Sequence, residues 1–143
     1  MTNAYDLGRF VSAQDSGGTY EDALGELRNG RKTSHWMWFV FPQIAGLGRS
    51  SMAQTYAISS LDEVRAYLAH PVLGPRLVEC AAAVLDHRDR SAEQIFGGID
   101  AIKLRSSMTL FAAADSGQPQ FAAVLGAFFD GPDRATLELI SSD

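Results

Sequence analysis

The chain has a single cysteine, Cys80, in 143 residues. That excludes an intramolecular disulfide and makes a reducing cytosol the natural compartment. No apolar run approaches the roughly 20 residues a membrane helix requires, so no membrane partner is expected. The N-terminus, MTNAYDLGRF, has no basic stretch followed by an apolar one and reads as no signal peptide. Positive charge is scarce: 12 Lys and Arg face 17 Asp and Glu, for a net charge of -5. Outside residues 28–32 the cations are scattered. Nucleic acid, which is held mainly by cations on phosphates, is therefore not the expected partner. No two His residues lie at metal-ligand spacing and Cys80 has no neighbouring thiol, so neither a metal site nor a cofactor is expected.

What is present is apolar content, 46% of residues, enough for the core of one domain without a disulfide or metal. The punctuation between apolar segments is helical. A helix starting near Asn3 places Leu7, Phe10, Val11 and Gln14 on one face. Thr19 is placed to cap YEDALGELRN, whose Glu21 and Asp22 suit a helix start and whose Gly30 suits its end. Ser60 with Glu63 forms a capping box ahead of LDEVRAYLA. His70-Pro71 breaks that helix and VLGPRLVECAAAVLDHR resumes. Ser91 caps AEQIF. In IDAIKLRSSMTLFAAA, Leu104, Met108 and Phe111 fall at i, i+4 and i+7; PQFAAVLGAFF and DRATLELI follow. With no linker and no repeat, the expectation is one all-α domain over residues 1–143, built from eight or nine short helices.

The stretch SHWMWFVFPQIAGLGRS, residues 34–50, carries the strongest signal. Seven bulky residues in near-continuous order fit a buried strand or a buried helix. No second strand appears to pair with it, so the reading is a helix capped by Ser34 and ended before Pro42. On such a helix His35 and Gln43 project to similar sides, and Trp36 and Trp38 each need a partner for an N–H. Beyond it, Gly46, Gly48, Arg49 and Ser50 precede another helix. Free N–H groups at a helix start favour anions and glycines admit a ligand to the backbone, although a tight loop with a Ser cap has the same pattern. The spacing is not that of a P-loop.

A second constellation lies in residues 100–107. Asp100, Lys103, Ser106 and Ser107 can share one helix face, where Lys103 and the hydroxyls suit a phosphate or carboxylate. The competing reading is an Asp–Lys surface pair beside helix-bonded serines. A Ser–Lys hydrolytic dyad needs an oxyanion hole that the sequence does not display.

DLGRFVSAQ, YEDALGELRNGRKTSHWMWFVFPQIAGLGRS, YAISSLDEVRAYLAHPVLGPRL and IFGGIDAIKLRSSMTLF occur in the same order as in the bacterial family catalogued as domain of unknown function 1810, which the chain closely resembles over nearly its full length. The resemblance implies a single, mostly α-helical domain and brings no activity, substrate or catalytic residue with it. Some members carry the label calpastatin-like, which nothing in these residues supports.

From the residues, the expectation is a cytosolic domain that binds a small anionic or nucleotide-like metabolite. Arg49 and Lys103 would neutralise charge. Ser50, Ser106 and Ser107 would donate hydrogen bonds, and the backbone at Gly46 and Gly48 would approach the ligand. Gln43 would orient it, and Trp36 or Trp38 would wall it. If hydrolysis or group transfer occurs, His35 is the candidate general acid or base. The alternative is a non-catalytic interaction module that pairs through PQFAAVLGAFF, with another protein or as a homo-oligomer.

Overall fold

The computed structural model describes residues 5–114 and 117–141. Its elements are α1 (Gly8–Asp15), α2 (Thr19–Arg28), α3 (Met37–Val40), α4 (Ser51–Thr55), α5 (Leu61–Ala69), α6 (Leu73–Leu85), α7 (Ala92–Phe96), α8 (Gly98–Ala113), α9 (Gln120–Phe128) and α10 (Arg134–Ser141), with a 3-10 turn at Ser16–Gly18. The expected start near Asn3 lies outside the described residues. The class is all-α.

The middle of the molecule is α8, which packs against α5, α7, α9 and α10. Ala101, Leu104 and every residue from 106 to 111 are buried, so the stretch from 106 to 111 is enclosed on all sides. Small hydroxyl residues make this enclosure workable. Ser106 Oγ donates to Ile102 O (3.2 Å) and to Asp133 Oδ2 (3.1 Å), and Thr109 Oγ1 donates to Arg105 O (2.8 Å). Asp133 in turn accepts from Thr136 N–H (3.0 Å), so α10 is capped and fastened to α8 by one carboxylate. A second layer, α6 against α2, α5 and α9, completes the core around Trp36, Phe41, Tyr67, Phe111 and Phe121.

Several local signals act as their chemistry dictates. Gly30, at φ 72°, ends α2: its N–H bonds Leu27 O and the Arg31 N–H reaches back to Glu26 O, both at 3.0 Å. Ser91 and Gln94 form a full capping box on α7. Ser60 caps α5, but Glu63 does not close the box. Its carboxylate takes Ser59 N–H (2.7 Å) and the Arg9 guanidinium (3.0 Å), tying α1 to α5. Thr19 is the first residue of α2 rather than its cap, which is Gly18 in the left-handed region. His87 is half-buried, and its Nε2 pairs with Arg28 O at 2.8 Å.

The aromatic segment differs most from expectation. Its helix is α3, one turn of four residues, and Ser34 does not cap it. Glu26 is the reason. Its carboxylate collects Thr33 N–H (2.7 Å), Ser34 N–H (2.9 Å), Ser34 Oγ–H (2.5 Å) and Trp36 Nε1–H (2.9 Å), which holds residues 33–36 in a non-helical bend. The helix starts only where those bonds end. Past Val40 the chain is extended, and Ile44 and Ile58 pair as an isolated bridge, with Ala45 N–H on Ile58 O and Ile58 N–H on Gln43 O, both 2.8 Å.

Candidate functional site

The chain contains two lysines, Lys32 and Lys103, against ten arginines, and both reach the same carboxylate. Backbone chemistry brings them there. Gly30 stops α2 and turns the chain, and Lys32 N–H then bonds Ile95 O at 2.7 Å, which lays residue 32 beside the start of α8. Lys32 Nζ lies 2.9 Å from Asp100 Oδ2, donates to Ser34 O and stands 5.0 Å from the ring centre of Trp36. Only 7% of its side chain is exposed. This is a fully partnered, immobile cation.

Lys103 is held differently. It is three residues beyond Asp100 on α8, 3.6 Å from Oδ1 and 5.2 Å from the ring centre of Trp38, with about a quarter of its side chain exposed. Among the described residues none accepts a hydrogen bond from its ammonium. One turn further along the same face, the Ser107 hydroxyl is buried and also lacks a partner. A buried hydroxyl without a partner costs about 1–3 kcal/mol. Residues 34–50 and 100–111 therefore do meet, through Lys103 on Trp38.

The other sequence candidates are placed as follows. Trp36 is fully buried and its N–H is satisfied by Glu26. Burial alone would push the Glu26 carboxyl up, but the Ser34 hydroxyl, the Thr33 and Ser34 amides and the Trp36 N–H outweigh it and hold the pKa at about 2. His35 is exposed ahead of α3, Gln43 is half-buried beyond its end, and no helix aligns them. Neither side chain has a hydrogen-bond partner among the described residues.

The glycine loop has structural duties. Ser50 Oγ accepts Ala53 N–H (3.1 Å) as the cap of α4, a helix of five residues. A Cβ on Gly48 would stand 2.5 Å from that of Ala53, and one on Gly46, at φ 105°, 3.3 Å from Leu139. Arg49 is exposed, and its carbonyl accepts from Gln54. Ser106 faces α10, as described above. The site that the geometry assembles is thus Lys103, Trp38, Asp100 and Lys32, with Ser107 behind. Sequence reading had no place in it for Lys32, which resembles a helix-end cation. The scarcity of lysine beside so much arginine was the available signal.

Asp100 also walls a recess of about 340 Å³ lined by Phe96, Gly97, Gly98 and Ile99. A roomier groove, about 820 Å³, lies in the α5–α6 corner among Leu68, Pro75, Val78 and Ala114. Its charged groups are engaged elsewhere: Arg65 pairs with Asp62, and Glu79 accepts from Tyr20 Oη at 2.5 Å. Next to Glu79, Cys80 is fully buried, and that burial pushes its thiol up to about 12, so it carries no nucleophile at neutral pH.

Comparison with known proteins agrees with this fold. The family model described as "Protein of unknown function (DUF1810)" matches residues 4–140. The crystal structure of a conserved hypothetical protein from Mycobacterium tuberculosis is 51% identical, with a TM-score of 0.92, covering 96% of this chain and 97% of that one. No curated protein matches.

Proposed function

The chain belongs to that family of unknown function, which assigns it no chemistry, and we propose from its own geometry that it is a cytosolic domain binding a small anionic metabolite at the Lys103–Trp38 face of α8. One observation carries this reading. The Lys103 ammonium is fixed between an aromatic face and a carboxylate, yet its three N–H donors meet no hydrogen-bond acceptor among the described residues. Lysine donors fixed in place and left without acceptors suit an oxoanion.

Binding is favoured over catalysis. His35, the candidate acid or base for hydrolysis or group transfer, has no side-chain hydrogen-bond partner among the described residues to fix its tautomer. The interaction-module reading has less behind it. Phe121, Val124 and Leu125 of PQFAAVLGAFF are buried, leaving Ile99 and Ile102 of α8 as the neighbouring exposed apolar pair. Two side chains are far short of a stable interface, which buries on the order of 800 Å² per partner.

Thermal-shift measurements with inorganic phosphate, nucleotides and phosphorylated sugars test the proposal. The expected result is a concentration-dependent rise in Tm with at least one of them, absent in Lys103→Ala. No rise with any compound, or the same rise in the variant, would contradict it.

A further inference from the structure

We infer that Asp100 is a ligand-reading residue and that the anion at this site is a phosphate monoester carrying a free hydroxyl, such as a sugar phosphate or nucleotide, rather than a bare oxoanion. The inference rests on the anion-binding reading above and adds the second half of the ligand.

Asp100 is divided between two tasks. Its Oδ2 is occupied by Lys32 at 2.9 Å. Its Oδ1 faces Lys103 at 3.6 Å, beyond hydrogen-bond range, and no donor among the described residues reaches it. With about a fifth of the side chain exposed, that oxygen is an accessible acceptor held in place by its own partner on the other side. An unused anionic acceptor therefore sits beside an unused cationic donor. An inorganic anion satisfies Lys103 and is repelled by Asp100. A hydroxylated phosphate ester satisfies both, its phosphate oxygens accepting from Lys103 and its hydroxyl donating to Asp100 Oδ1.

Lys103 lies three residues, about 4.5 Å, beyond Asp100 along α8. Asp100 also lines the shallow recess formed by Phe96, Gly97, Gly98 and Ile99. The phosphate is assigned to Lys103 and the hydroxyl to Asp100 Oδ1, with the shallow recess beside Asp100 open to the carbon skeleton. Lys32 holds the Asp100 carboxylate in place without touching the ligand.

Calorimetric titration of the full chain with methyl phosphate, ribose 5-phosphate and tetrahydrofurfuryl phosphate, which keeps the ring but lacks its hydroxyls, tests this. The wild type is expected to bind ribose 5-phosphate about tenfold or more tightly than the hydroxyl-free ester, the worth of one hydrogen bond to a charged group. In Asp100→Asn, which can still accept from Lys32, that ratio should fall toward one while methyl phosphate binds as well or better. Equal wild-type affinity for the two ring esters, or a ratio that Asp100→Asn leaves unchanged, overturns the role of Asp100 even if Lys103→Ala abolishes methyl phosphate binding. Failure of all three esters to bind the wild type overturns the anion site itself.

Discussion

Lys32 and Lys103 share one carboxylate on unequal terms: Lys32 stands 2.9 Å from Asp100 and Lys103 3.6 Å. The shorter contact belongs to the buried ammonium, which also donates to Ser34 O and lies on Trp36. The longer belongs to the partly exposed one on Trp38. Lys32 therefore acts on the fold, and Lys103 is free to act on a ligand.

The first prediction follows from that inequality. Lys32→Ala takes the close cation from a largely buried Asp100, leaving it only the longer contact to Lys103, and should cost about 2–3 kcal/mol. Lys103→Ala removes a longer, partly exposed ion pair and one cation–π contact and should cost about 0.5–1 kcal/mol. Urea unfolding of the two variants measures the difference. Equal losses would mean that the two lysines do the same work.

A second prediction concerns acid. Glu26 is held at about 2, below its ordinary 4.5, so folding favours its ionised form. That stabilisation is complete above about pH 5 and is lost as the pH falls toward 2. Glu26→Gln should unfold more easily at neutral pH, and its stability should change less between pH 5 and 2 than the wild type's does. Trp36→Phe, which removes one of the four donors, should be destabilised and should show a weaker acid dependence of the same sign.

Glycine positions supply a third. A Cβ on Gly74 would run into the backbone carbonyl of Leu68, where α5 and α6 meet at 91°. A Cβ on Gly30 would sit 2.9 Å from His87 Nδ1, on a residue whose φ is 72°. Gly74→Ala meets backbone that cannot move aside, whereas Gly30→Ala meets a ring that can. Both should lower Tm, Gly74→Ala by more, with a cost of several kcal/mol. Differential scanning calorimetry ranks them.

Most local signals were legible in the sequence, although Thr19 begins its helix instead of capping it. Gly30 ended a helix, Ser50, Ser60 and Ser91 capped theirs, and the spacing of Leu104, Met108 and Phe111 marked the central helix. Where a distant group intervened, the outcome was not. Residues 34–42 lack a long helix because Glu26, one helix earlier, holds the chain from Thr33 to Trp36 in a non-helical bend. Glu63 leaves its capping box because Arg9 and Ser59 compete for it. The site behaves alike: Lys103 and Trp38 were recognisable as candidates, but their partnership, and the role of Lys32, depend on Ile95 O fixing the chain after Gly30. No period or spacing in one segment encodes a bond to another. Likewise, Ser106 and Ser107 are adjacent in sequence and turn to different neighbours, one bonded to Asp133 and the other unpaired.

The central claim is that Lys103 meets an anion and Lys32 does not. With two lysines in the chain, protein labelled with ¹³C at lysine Cε gives two side-chain signals, assigned by Lys103→Arg. Titration with a phosphate monoester at constant ionic strength should move the Lys103 signal saturably and leave that of Lys32 in place. If neither signal moves, or both drift together without saturating, Lys103 is a structural cation and the α8 face is no receptor for anions.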